Sequence, residues 1–149
     1  MINFLEIEGQ PAPETVEKLE ALYASVFGDE ELDRFAERLA AADNPLTVLA
    51  LRGDKPVGFK IGYRLAPKKF YSWIGGVTEG FRYHGIAAEL MRRQHAWCTA
   101  KRFETIQTKT MNRFKSMLIL NLKNGFDITE VYRDERGEIK IVLEKNLRG

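Results

Sequence analysis

Val77-Thr78-Glu79-Gly80-Phe81-Arg82-Tyr83-His84-Gly85-Ile86-Ala87 joins a β-like run to a long helical pattern. A glycine-bearing loop that opens a helix leaves backbone N–H groups unpaired at the positive end of the helix dipole. Such a turn is a receptor for phosphate or pyrophosphate. Gly85 lets the backbone approach an anion closely, Ala87 keeps the helix start small, and Arg82 adds a fixed positive charge. The stretch is not a Walker loop, which needs Gly-Lys-Ser/Thr. Nor is it a dinucleotide fingerprint, which needs three glycines. The bland alternative is a strand-to-helix turn with a surface arginine.

Working outward, Ile86 to about Phe103 is predicted to be helical, with Ala87, Leu90, Met91, Ala96 and Trp97 at helical spacing. Upstream, Phe70 to Val77 reads as a strand whose Gly75-Gly76 pair implies a bulge or a close backbone approach. Leu46 to Arg52 and Lys55 to Leu65 form a hairpin around Gly53-Asp54. Ile2 to Glu8 alternates apolar and polar residues as a half-buried strand does. Between them lie two helices, one opened by Pro13 and one from about Glu30 to Ala42. Downstream, Thr105 to Thr110 is a short strand. Residues 114–124 are a helix closed by Asn124-Gly125, and Ile128–Arg133 and Glu138–Leu143 are the last strands. The order β-α-α-β-β-β-α-β-α-β-β predicts an α/β (α+β) fold. Its mixed, mostly antiparallel sheet has about seven strands, helices on both faces and a central βαβ unit.

A length of 149 residues suits one domain spanning residues 1–149. The single Cys98 excludes an intramolecular disulfide framework and the usual thiolate zinc sites, so no metal is expected; Cys98 reads as a buried apolar residue. No apolar run approaches the roughly 20 residues of a membrane span, and MINFLEIEGQ lacks a basic leader region. A cytoplasmic protein with no membrane partner is expected. The net charge of +2 is too small to argue for a nucleic-acid partner and none is expected; residues 101–123, with six Lys/Arg against one Glu, are the basis of a rival nucleic-acid-binding reading. The charge is divided unevenly. Residues 1–75 hold nine basic and twelve acidic side chains, and residues 76–149 hold fourteen and nine. Either the second half receives an anion while the first faces something cationic, or, the reading that charge alone favours, the charges are a random scatter on solvated faces.

Arg82-Tyr83-His84-Gly85-Ile86-Ala87 resembles the Arg/Gln-x-x-Gly-x-Gly/Ala pyrophosphate loop of the GCN5-related N-acetyltransferase (GNAT) superfamily. Met117-Leu118-Ile119-Leu120-Asn121-Leu122-Lys123-Asn124-Gly125-Phe126 is similar to that family's second helix motif, which ends in Gly-Phe before a strand. The resemblance implies an acetyl-CoA co-substrate and direct attack by a primary amine of a small molecule or peptide in a ternary complex. It implies pantetheine contacts near Gly76 and Val77, with the Val77 N–H polarising the thioester carbonyl. Pyrophosphate contacts fall on Arg82, Tyr83, His84, Gly85, Ile86 and Ala87.

The chain departs from the family pattern at the leaving-thiolate acid. Where many members have Tyr, it has Asn121, expected to be a cofactor contact. No carboxylate stands on the strand around Tyr71, Ser72 and Trp73. Glu79 and Tyr71 are the candidate catalytic residues, beside a water chain acting as base and His84, which reads rather as a loop or CoA-phosphate contact. His95 reads as structural. Phe59, Tyr63, Phe70, Tyr71 and Trp73 lie on consecutive strands and are core or pocket wall. Glu30, Glu31, Asp33 and Glu37 would wall the acceptor side. A non-catalytic acyl-CoA-binding regulatory domain on the same fold is the rival function. A homodimer through an exposed sheet edge is compatible with the pattern.

Overall fold

In chain order the elements are β1 (Ile2–Glu8), α1 (Pro13–Phe27), α2 (Leu32–Ala41), β2 (Leu46–Arg52), β3 (Lys55–Ala66) and β4 (Lys69–Val77). A single 3-10 turn (Glu79–Phe81) follows, then α3 (Ile86–Ala100), β5 (Thr105–Thr110), α4 (Lys115–Lys123), β6 (Asp127–Arg133) and β7 (Ile139–Asn146). These elements come from a computed structural model that describes residues 1–82 and 85–148. The strands form one seven-stranded sheet in the order β1-β2-β3-β4-β5-β7-β6, antiparallel throughout except at β4–β5. This is the mixed sheet the sequence predicts.

Strand β2 lies inside the sheet and is covered on both faces. Leu46, Val48 and Ala50 pack with Val57, Ile86, Leu90 and Cys98 on the α3 side. Leu49 packs with Phe59, Ile61, Leu19, Leu22, Phe35 and Leu39 on the α1/α2 side. The period-two alternation of a strand assigns the two faces. Helices α1 and α2 present Leu19, Leu22, Tyr23, Phe35 and Leu39 to the sheet, at the spacing of a helix stripe. Among the described residues no helix is long and apolar enough to cross a membrane.

Helix α3 stops three residues before the predicted end. Arg102 takes a left-handed φ of 67°, and the Phe103 N–H bonds back to the Cys98 carbonyl at 3.0 Å. This Schellman-type closure turns Phe103 into the core, where it is 5% exposed. At Gly75-Gly76 the register with β3 runs without a bulge, so the close-approach reading is the one realised. A Cβ on Gly76 would sit 2.7 Å from Val26 Cγ1 of α1.

Candidate active site

The β4–β5 ladder is four residues long, from Lys69↔Thr105 to Ser72↔Thr108. Its last rung is reinforced by the Thr108 hydroxyl, which donates to the Ser72 carbonyl at 2.8 Å. Beyond that rung β4 stays paired with β3 as far as Val77, while β5 stays paired with β7 through Thr110. The sheet therefore forks, and the edge of Trp73–Val77 that would face β5 has no strand beside it. The Thr78 N–H bonds to the Val57 carbonyl at 2.9 Å on the β3 side. Strand alternation then turns the Val77 N–H and C=O toward the fork. Arg82 Nε donates to that Val77 carbonyl at 2.9 Å, which holds the guanidinium at the mouth of the fork.

Helix α3 starts beside this mouth. Its N-cap is Gly85 at φ 75°, and no side chain caps it. The first helical bond runs from Glu89 N–H to the Gly85 carbonyl at 3.1 Å. The N–H groups of Ile86, Ala87 and Ala88 consequently have no acceptor within the helix. A Cβ on Gly85 would meet nothing within 4 Å, so the approach is open. Glu89, the one acidic residue of the first turn, is held by Arg92 at 2.7 and 2.8 Å and by Arg93 at 2.8 Å. The Arg92 hydrogen bonds, followed by those of Arg93, take its carboxyl down to about 2. Its negative charge is thus neutralised where an anion would sit. Open amides, a left-handed glycine, an anchored arginine and a bare strand edge fit an acyl-CoA. Arg82, Gly85, Ile86, Ala87, Gly76 and Val77 are brought together here, whereas Tyr83 and His84 lie outside the described residues.

On the α3 face behind the fork lies a buried polar group set in which Lys60 and Lys145 join His95, Asn121 and Cys98, the first two being residues that the sequence reading did not single out. Lys60, opposite Gly75 in the ladder, is 8% exposed. Burial lowers its ammonium to about 8. His95 is neutral: burial first, then the charges of Lys145 and Lys60, take it down to about 3. Lys145 Nζ lies 3.1 Å from His95 Nδ1. An ammonium only donates, so the imidazole proton belongs on Nε2, a buried atom without a partner. Asn121 is the buried residue of α4. Cys98 is fully buried, and burial pushes its thiol up, as its predicted structural role requires.

The opposite face of the fork is aromatic. Tyr63, Tyr71 and Trp73 cluster with ring centroids 5.5 and 6.3 Å apart, and Trp73 stacks on Phe35 at 5.4 Å. Phe59 and Phe70 are core, on opposite faces of the sheet. Tyr71 is 8% exposed, and burial raises its phenol while Arg38 and Lys109 oppose that rise. Glu79 is exposed on the turn that follows β4. Of the acidic residues expected to wall this side, Glu31 is already engaged by Arg34 at 3.5 Å and by Arg136 at 4.0 Å. The side chains over the aromatic patch are instead cationic. Arg38 and Lys109 give no local sequence signal; only the fold places them there.

Sheet order, forked parallel pair and glycine-opened helix together define an acetyltransferase fold. The model of the acetyltransferase (GNAT) family matches residues 12–120, and the chain belongs to that family. Among solved structures, a GNAT-family protein from Desulfovibrio desulfuricans superposes with TM-score 0.84 at 15% identity, covering 99% of both chains. A GNAT acetyltransferase from Elizabethkingia anophelis with acetyl-CoA bound gives TM-score 0.73 at 20% identity, covering 97% of each. The ribosomal-protein-S18-alanine N-acetyltransferase from Escherichia coli gives 0.78 at 11%, covering 96% of this chain and 94% of that one. At these identities the likeness is one of fold. No curated protein matches the chain significantly.

Proposed function

We propose that the chain is an N-acetyltransferase, one catalytic domain that moves an acetyl group from acetyl-CoA to a primary amine of a small molecule or peptide. The observation that carries this reading is the fork beyond Ser72 and Thr108, opening directly onto the uncapped start of α3. Pyrophosphate rests on the amides from Arg82 to Ala87, with His84 and Tyr83 completing the loop, and the pantetheine arm pairs with the bare edge of β4. Asn121 contacts the arm from α4. The Val77 N–H, turned to the fork, donates to the thioester oxygen as charge develops there. The amine attacks the thioester carbon, the C–N bond forms, the C–S bond breaks and CoA leaves as the thiolate. Glu79 takes the proton released by the nitrogen. Tyr71, kept protonated by burial and held by Arg38, orients the amine. Binding both reactants in one complex supplies much of the rate gain.

The buried lone thiol is consistent with the cytoplasm. The exposed edge strand β6, with Ile128 and Val131 at its surface, supports pairing of two copies; sedimentation tests that. Release of CoA thiol over an amine panel, beside calorimetric titration of acetyl-CoA, tests the enzyme reading. Turnover with at least one amine is expected. Binding without turnover on any amine or peptide would establish the regulatory-domain alternative. Gly85→Pro, which cannot adopt a φ of 75°, is expected to abolish binding.

A further inference from the structure

We propose that the acceptor is a primary amine that also bears a carboxylate a few bonds away, and that Arg38 and Lys109 receive this carboxylate. The proposal rests on the acetyl-transfer reading and names its acceptor class.

Arg38 reaches from α2 over the aromatic patch. Its guanidinium carbon lies 4.9 Å from the Trp73 ring centroid, 5.8 Å from that of Tyr71 and 6.0 Å from that of Tyr63. Nη2 donates to the Tyr63 hydroxyl at 2.9 Å, which fixes the plane of the fork and leaves further N–H donors unspent. Lys109 is one residue past the last rung of the β4–β5 ladder, and its Nζ donates to the Tyr132 hydroxyl at 3.2 Å. Both cations act on the Tyr71 phenol, and each lies within range of the other's charge. Two like charges are thus held near one another over an apolar floor. Among the described residues neither has a carboxylate oxygen within 4 Å.

Glu31 is paired with Arg34 and Arg136, and Glu144 with Lys69 at 3.0 Å. Among the described residues the pair thus has no counter-ion at salt-bridge distance. A guanidinium fixed in plane matches a carboxylate bidentately, and a neighbouring ammonium completes the cradle. A strand rises about 3.3 Å per residue, so an acid seated at Lys109 lies within a few bonds of the fork. An amine on the adjacent or next carbon reaches the thioester from there. A polyamine or aminoglycoside would instead bring its remaining ammonium groups against Arg38 and Lys109, an unfavourable like-charge contact. This reverses the cationic acceptor that one reading of the first half's charge implies.

The test compares matched acceptors: the common L-amino acids, their carboxamides, an aminoalkyl phosphonate and spermidine. CoA release is expected with kcat/KM at least tenfold higher for some acid than for its own amide, the phosphonate or spermidine. Arg38→Met and Lys109→Met each raise KM for that acid about tenfold or more, as loss of a charge-assisted contact implies, and the acid-to-amide preference collapses. Arg38→Lys restores only part of it. Both residues are surface-exposed, so the variants fold, which far-UV circular dichroism checks. Equal use of amide and acid, preference for the phosphonate or spermidine, or an unchanged preference in Arg38→Met overturns the proposal. If acetyl-CoA binds but no amine turns over, the acetyl-transfer reading fails. The carboxylate site is then judged by calorimetry of the same panel on the CoA complex. Binding of an acid but not its amide, lost in Arg38→Met, sustains it, and no such difference overturns it.

Discussion

Replacing Lys60 by methionine is expected to stabilise the protein, and the gain is expected to vanish as the pH rises. Lys60 is 8% exposed, and its ammonium is lowered from an ordinary lysine's 10.5 to about 8 by burial alone. At about 1.4 kcal/mol per pH unit, that drop corresponds to about 3 kcal/mol of destabilisation at neutral pH. Methionine keeps the unbranched stem in the same space without the charge. Below pH 8 both folded and unfolded chains carry the proton, so the full cost is present. Between about 8 and 10.5 the unfolded chain binds more protons than the folded one, and stability of the wild type rises with pH. Above 10.5 the cost is gone. Cys98 and Tyr71 have raised values and act the other way, because the unfolded chain loses those protons first. Both residues are present in the variant, so the difference between the two proteins isolates Lys60. Urea unfolding at pH 7, 9 and 10.5 measures it. The variant is expected to gain about 2–3 kcal/mol at pH 7, or roughly 4–10 °C in Tm for a chain of this size. A variant no more stable than the wild type at pH 7, or a difference that does not change with pH, refutes the reasoning.

His95, held near 3 by burial and by Lys145 and Lys60, must stay neutral in the fold. The unfolded chain takes up its proton below about 6.5. Stability should therefore fall as the pH drops through that value, by up to about 1.4 kcal/mol per unit. A His95→Gln variant with the same acid sensitivity in chemical denaturation would contradict this. Gly76→Ala should cost about 1–3 kcal/mol, because its Cβ would lie 2.7 Å from Val26 Cγ1; thermal unfolding reads it. Phe35→Ala should cost about 3–5 kcal/mol. Its ring is 3% exposed and stacked between Tyr23 at 4.5 Å and Trp73 at 5.4 Å. A loss under 1 kcal/mol in urea unfolding would show that the patch is not held from below.

Local rules carry most of the architecture. The alternation of Ile2 to Glu8, Pro13 at a helix start and the Asn124-Gly125 stop each act within a few residues, so they are readable along the chain. The helix expected to reach Phe103 ends at Ala100 because Arg102, a residue type that rarely takes positive φ, accepts it so that Phe103 can be buried. That trade is tertiary and leaves no local mark. The glycine-opened start of α3 is legible for the same reason the strands are, since Gly85 and the first helical residues are contiguous in the chain. The acceptor side is not. Arg38, Tyr63, Tyr71, Trp73, Lys109 and Tyr132 come from five elements, and of the acidic residues expected on this side Glu31 is paired with Arg34 and Arg136. Lys60 gave a faint signal, a charge within the otherwise apolar Val57–Ile61 run.

The short parallel ladder has a mechanical consequence. The four strands β1 to β4 and the three strands β5, β7 and β6 are joined within the sheet by four residue pairs and one threonine bond. Parallel pairing is the weaker kind, so this line is the seam along which the sheet comes apart first. A molecule lying in the fork touches both sides of the seam. On the acetyl-transfer proposal its binding energy works as a rivet, and the resistance of the two halves to separation rises on binding and falls on release.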